Sequence, residues 1–298
     1  MSNTAYYQQT VAGPAIFAGI GLHTGAHVRV AIRPAAPNTG IVFVRTDIRD
    51  RDNVVHVSAE AVSQTRLGTV IRNAADTTVS TIEHLMAALA ALGIDNATVE
   101  LDGPEVPIVD GSSAPFIQIL DHVGRRRQEA PRRYLEILRR IEVAEDDKRA
   151  SLSPSDRFEV AFEIAFDSKA IGRQRVDLVV DEDSFREELA DCRTFGFLRE
   201  VEALRAIGLA RGGSMENAVV IDGDEVLNEE GLRRPDEFVR HKALDAVGDL
   251  YVVGMPIVGR FEGLYAGHSL NNALVRALMA DRSAWRVRTF APQMAEAV

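Results

Sequence analysis

The sequence predicts an α+β fold built as two related modules, and three observations carry the prediction. Short runs with β pattern fill most of the region between 28 and 108, a single helical segment without a polar face interrupts them, and a charge-rich stretch at 125–133 precedes a second half with the same plan. At 298 residues the chain exceeds the usual size of one compact domain. The expected division is 1–129 and 130–298, each a set of strands plus a few helices.

The first-half strands are VRVAI at 28–32, IVFVR at 41–45, LGTVI at 67–71 and ATVEL at 97–101, all rich in β-branched residues. The helix follows from Ser80-Thr81-Ile82-Glu83, which has the spacing of a capping box, then HLMAALAAL, then Gly93 where a glycine C-cap belongs. It is expected over 81–92. Ile82, Leu85, Met86, Leu89 and Leu92 form one stripe, and His84, Ala88 and Ala91 lie opposite. A helix apolar or small on both faces is buried on all sides, so His84 is screened from bulk water.

DGSSAPFIQIL predicts a short helix, and RRRQEAPRR at 125–133 is the expected boundary. Beyond it, strands are expected at 134–143, 158–166, 174–180 and 256–262. Helices are expected near 182–190, from about 236 to 251 behind Pro235, and from Ser269 or nearby.

Composition narrows the function classes. The net charge of -10 disfavours nucleic acid as a partner, because phosphate backbones demand a surplus of Lys and Arg. The single cysteine, Cys192, excludes an intrachain disulfide and a cysteine zinc knuckle and suits a reducing compartment, the cytoplasm. Any metal must use His, Asp or Glu. The opening MSNTAYYQQTVAGPA lacks the pattern of a signal peptide, so the mature protein is expected to begin there. The longest uncharged apolar run, Leu85 to Ile94, has ten residues, where a membrane span needs about 20.

His241 and Asp245, four apart in RHKALDAVGDL, share one helix face and can present an imidazole nitrogen and a carboxylate oxygen to one ion. An ordinary helical hydrogen bond explains the same spacing, and two ligands do not make a site. His84 is the natural third ligand, although the alternative leaves Glu83 as a capping residue and His84 as a satisfied core histidine. Consecutive helical residues point about 100° apart, so Glu83 would reach a water at the metal's open position rather than the metal itself. Three protein ligands, one open position and a nearby carboxylate are the parts of a zinc hydrolase. His268, in GHSLNN, is either a proton donor or a loop histidine. His27, His56 and His122 fall in strand or surface patterns and take no role.

Together these residues resemble one family, the UDP-3-O-acyl-N-acetylglucosamine deacetylases, zinc amidases of lipid A synthesis. The resemblance runs nearly end to end through GIGLHTG at 19–25, STIEHLMAALAALGIDN at 80–96, ELDGPEVPIVDGSSAPF at 100–116, CRTFGF at 192–197, RHKALDAVGDL at 240–250 and GHSLNNAL at 267–274. It implies one Zn2+ per chain on His84, His241 and Asp245. It also implies Glu83 as general base, His268 as general acid, Thr194 as oxyanion partner, and Asp249 as the carboxylate behind His268. Lys242 and Phe195 are implied to contact the substrate, UDP-3-O-acyl-GlcNAc.

The implied fold is two β-α-α-β modules with helices packed together between the two sheets and the site where the modules meet. A segment at 197–223 is implied to form an acyl-chain tunnel, with Val201, Leu204, Ile207, Leu209 and Met215 as lining. Where the family commonly carries Lys or Arg three residues before the acid histidine, this chain has Tyr265. Arg260 and Lys242 are the candidates to replace that charge. The expected protein is a monomer without a membrane-spanning segment, cytoplasmic, with peripheral contact at the inner membrane left open. The rival readings are a binding protein that kept the fold without the chemistry and a metal-free acyl dehydratase using His and Glu.

Overall fold

A computed structural model describes residues 6–290. In the strand His27–Pro34, Val28, Val30 and Ile32 are buried while His27, Arg29 and Arg33 face solvent, so alternation alone commits one face to the core. That strand belongs to a five-stranded sheet ordered Ala15–Ile20, His27–Pro34, Ala97–Leu101, Ile41–Arg45, Val54–His56. Within it only the pairing of Ile41–Arg45 with Ala97–Leu101 is parallel. A crossover must connect a parallel pair, and the helix α1 (Glu83–Ala91) lies within that connection.

A second sheet, of seven strands, runs Ile141–Glu145, Lys148–Ser153, Ile257–Leu264, Arg133–Ile137, Trp285–Thr289. Phe158–Ala165 pairs parallel to Ile257–Leu264 and antiparallel to Arg173–Val179. The remaining helices are α2 (Ala114–Val123), α3 (Glu182–Glu188), α4 (Leu198–Ala206), α5 (Glu237–Tyr251) and α6 (His268–Ala280). α1 packs on α2 and α5, α2 on the strand Ala15–Ile20, α5 on α6 and on Phe158–Ala165, and α6 on the hairpin 141–153. α1, α2, α5 and α6 therefore pack in one chain of contacts, α2 against the first sheet and α5 and α6 against the second. The mixed α+β class expected from the sequence is the one observed.

Two local expectations, the capping box and the strand at 134–143, differ from the structure. The capping box at Ser80–Glu83 does not form: α1 begins without a side-chain cap, Thr81 is left-handed at φ 57°, and its hydroxyl bonds Glu105 instead. Glu83 is drawn away because its carboxylate accepts the Thr69 amide at 2.9 Å. The stretch at 125–133 holds an ordered strand, Arg125–Pro131, paired antiparallel with Tyr7–Val11. Of its charges, Arg125 holds Glu182 and the Leu92 carbonyl. The strand expected at 134–143 is broken at 138–140 into two.

The helical stop was legible. Gly93 adopts φ 66°, with its amide on the Ala90 carbonyl and the Ile94 amide on Leu89, the Schellman arrangement that a left-handed residue permits. α5 is buried along almost its whole length. Gly248 allows the approach of α1, since a β-carbon there would lie 2.0 Å from the Glu83 carbonyl oxygen.

Candidate active site

α1 and α5 meet where α1 begins, and this contact brings together Glu83 and His84 from one helix with His241, Asp245 and Asp249 from the other. His84, His241 and Asp245 are all buried, and one ligand atom from each lies within 4.8 Å of the others. The Nε2 atoms of His84 and His241 stand 3.5 and 3.3 Å from Asp245 Oδ1. Donor atoms about 2.0 to 2.1 Å from one tetrahedral ion are roughly 3.3 Å apart, so this spacing fits a cation.

The donor chemistry fits as well. Asp245 Oδ1 is buried with no hydrogen-bond partner among the described residues, a costly condition unless something positive meets it. Its other oxygen accepts Lys242 Nζ at 3.0 Å. Burial opposes the Asp245 charge, but His241, Lys242 and His268 hold its pKa well below the ordinary value. Burial drives the His241 pKa down to about 3, so its imidazole is neutral. The Cys192 carbonyl lies 3.0 Å from Nδ1; a carbonyl only accepts, so the proton sits on Nδ1 and Nε2 offers its lone pair to the cluster.

Two further titratable side chains, Glu83 and His268, stand near Asp245. Glu83 is 3% exposed, and its pKa is raised, chiefly by burial. His268, the first residue of α6, places Nε2 4.0 Å from Glu83 Oε1 and 3.9 Å from Asp245 Oδ2. Its Nδ1 lies 2.8 Å from Asp249 Oδ2. Burial acts against the imidazolium, yet Asp249 and Asp245 outweigh it and lift the pKa to about 9.

Thr194 is half-buried between two backbone bonds, its amide on Gly111 O and its carbonyl receiving Val219 N, each at 2.8 Å. Gly111 has φ 85°, and a β-carbon there would stand 2.1 Å from the Asn217 carbonyl oxygen, so the turn admits no side chain. Arg193, beside Thr194, is clamped to Glu237 at the start of α5 in a buried pair with 2% and 0% side-chain exposure. Phe195 packs edge-on to Phe238 and His241, with Lys242 Nζ 5.8 Å from its ring centre.

The outer candidates are not gathered in the same way. α4 has no buried residue, Val201 and Leu209 are half-buried, and Met215 and Ile207 are exposed. Arg260 spends its guanidinium on Glu159, Asp177 and Glu262, and Lys242, beside the cluster, holds Asp245. Tyr265 is left-handed, φ 52°, in the turn before α6. Sequence reading missed Thr69 and Asn271, which both bond Asp249. Thr69 read as a strand residue, and no local pattern marks a hydroxyl whose partner lies in a distant helix.

The family model for UDP-3-O-acyl N-acetylglycosamine deacetylase (LpxC) matches residues 8–280. The chain belongs to this family. A deacetylase of that name from Phenylobacterium zucineum is 70% identical over 292 residues, spanning 98% of this chain and the whole of the relative. Similar deacetylases come from Myxococcus xanthus, 48% identical across 96% of this chain and 91% of the relative, and from Shewanella loihica, 49% identical across 95% and 93%. The match includes both helices of the cluster, so α1 and α5 lie within the family's common sequence. Among the described residues no helix is long and apolar enough to cross a membrane.

Proposed function

We propose that this deacetylase-family chain hydrolyses the N-acetyl group of UDP-3-O-acyl-N-acetylglucosamine, yielding UDP-3-O-acyl-glucosamine and acetate in lipid A biosynthesis, with one Zn2+ held by His84, His241 and Asp245. The observation that carries this reading is the placement of Glu83 and His268 on one side of Asp245, their side chains 4.0 Å apart. When bound, the ion supplies Lewis-acid polarisation of the amide carbonyl and a lowered water pKa.

The remaining steps fall to the chain. Glu83 removes a proton from water as its oxygen attacks the acetamide carbonyl carbon, and the carbonyl π pair becomes an oxyanion. The Thr194 hydroxyl donates to that oxyanion. His268, its Nδ1–H held by Asp249, delivers the Nε2 proton to the glucosamine nitrogen as the C–N bond breaks. Acetate and a free amine leave, Glu83 gives up its proton to solvent, and His268 takes one up.

Lys242 serves the anionic part of the substrate and Phe195 lines the approach, while 197–223, with Val201, Leu209 and Met215, accommodates the acyl chain. The two modules are taken as 1–129 and 130–298, and the protein as a cytoplasmic monomer. The test is metal analysis of the purified protein joined to deacetylation of the UDP-acyl-GlcNAc substrate before and after chelation. About one zinc per chain and turnover lost on chelation is the expected result; full turnover by a metal-free protein overturns the reading.

A further inference from the structure

Thr69 makes two hydrogen bonds that belong to different halves of the site. Its backbone amide donates to Glu83 Oε2 at 2.9 Å, and its hydroxyl donates to Asp249 Oδ1 at 2.6 Å. The residue is 2% exposed, so water does not compete for either bond. Asp249 is thereby held from three directions: the Thr69 hydroxyl on Oδ1, and His268 Nδ1 and Asn271 Nδ2 on Oδ2 at 2.8 and 2.9 Å. Next to Thr69, Gly68 has φ 154°, and a β-carbon there would stand 2.7 Å from Glu83 Oε1, so the peptide of 68–69 lies directly against the base.

We propose that Thr69 is a positioning residue for the deacetylation, setting the carboxylate of Asp249, and through it the imidazole of His268, relative to the carboxylate of Glu83. A carboxylate with only the His268 and Asn271 bonds, both on one oxygen, is free to turn about its Cβ–Cγ bond. The hydroxyl on the other oxygen removes that freedom and fixes the line along which His268 Nδ1–H points. Among the described residues Thr69 alone hydrogen-bonds the side chains of both Glu83 and Asp249. The chain supplies it from the loop before the strand Val70–Arg72, outside both site helices.

The assignment rests on the proposed roles of Glu83 and His268. Its test is steady-state kinetics on the zinc-loaded full chain. Thr69→Val, which keeps shape and loses the hydroxyl, should lower kcat by about 10- to 100-fold, the usual cost of removing an outer partner, with KM and metal content unchanged. Thr69→Ser should recover most of the loss. In an Asp249→Asn background Thr69→Val should cost little more, since the hydroxyl acts through that carboxylate. Wild-type kcat for Thr69→Val, equal impairment of Thr69→Ser, or losses that multiply in the double variant each overturn the assignment. If Thr69→Val does not fold, Thr69→Ala takes its place in each comparison. Full turnover by His268→Ala or Glu83→Ala defeats the underlying reading instead, whereas full turnover by Thr69→Val beside a slow His268→Ala defeats only the role of Thr69.

Discussion

A β-carbon on Gly248 would lie 2.0 Å from the backbone carbonyl oxygen of Glu83, so α5 touches α1 backbone to backbone one turn from Asp245. Neither helix can yield locally, because the atom met is main chain and α1 is buried throughout its first two turns. Glu83 and His84 are therefore placed against Asp245 and Asp249 by the absence of one side chain. Gly248→Ala should lower stability by about 1 to 3 kcal/mol through overpacking, despite the better helix propensity of alanine. It should also reduce turnover. Urea unfolding with an unchanged midpoint would show that the helices can separate freely.

Glu83→Ala is expected to retain the metal and lose about 10²- to 10⁴-fold in kcat, the range for a positioned base. Near-normal turnover in a metal-loaded Glu83→Ala protein rules out the base assignment.

The pH profile of kcat/KM should be bell-shaped. His268 must be protonated to act as an acid, and its pKa is raised from 6.5 to about 9, so the basic limb is expected near 9. Glu83 must be ionised, and burial raises its pKa above 4.5, so activity falls on the acid side as it protonates. The same His268 shift bears on folding. A raised pKa means that the imidazolium stabilises the native state fully below about 6.5 and loses that contribution as pH rises through about 9. A profile flat from about pH 5 to 9 contradicts the pairing.

Replacing Asp245 by Asn should weaken metal binding sharply, since Oδ1, buried and without a hydrogen-bond partner among the described residues, loses its charge. Equilibrium dialysis reads this directly. Added zinc should raise the unfolding temperature of the native chain in proportion to the logarithm of its concentration and leave the variant unmoved.

Glu237→Ala leaves the Arg193 guanidinium, whose side chain is 2% exposed, with only the exposed Glu230 carboxylate and the Gly231 carbonyl, and should cost about 1 to 3 kcal/mol. Because Arg193 adjoins Thr194, kcat should fall with it. Denaturant titration of the variant would expose an unimportant pair by showing wild-type stability.

Much of the scaffold was legible in local pattern. IVFVR at 41–45 and ATVEL at 97–101 form strands over those same residues, and Gly93 ends α1 as its position implied. These features depend on contacts within a few residues and on whether side chains alternate or recur every third and fourth position. Ser80–Glu83 misled for the opposite reason: a capping box is a local bond, and Glu83 found stronger partners in Thr69 and the cluster. The charges at 125–133 marked a module boundary and gave no sign of the strand there, because single-residue polarity does not reveal that a strand at 7–11 will satisfy the backbone.

For the site, spacing alone identified His241 and Asp245 as sharing a face, and helix geometry separated the direction of Glu83 from that of His84. Both follow from the fixed rotation of about 100° per helical residue. Tertiary structure decided the rest. It set His84 against Asp245, left Asp245 Oδ1 without a hydrogen-bond partner among the described residues, turned His241 Nδ1 to the Cys192 carbonyl, and brought Thr69 to Asp249. Each of these joins residues far apart in the chain. Their distances depend on how two helices pack, and that packing rests on Gly248, a residue whose contribution is the space it leaves.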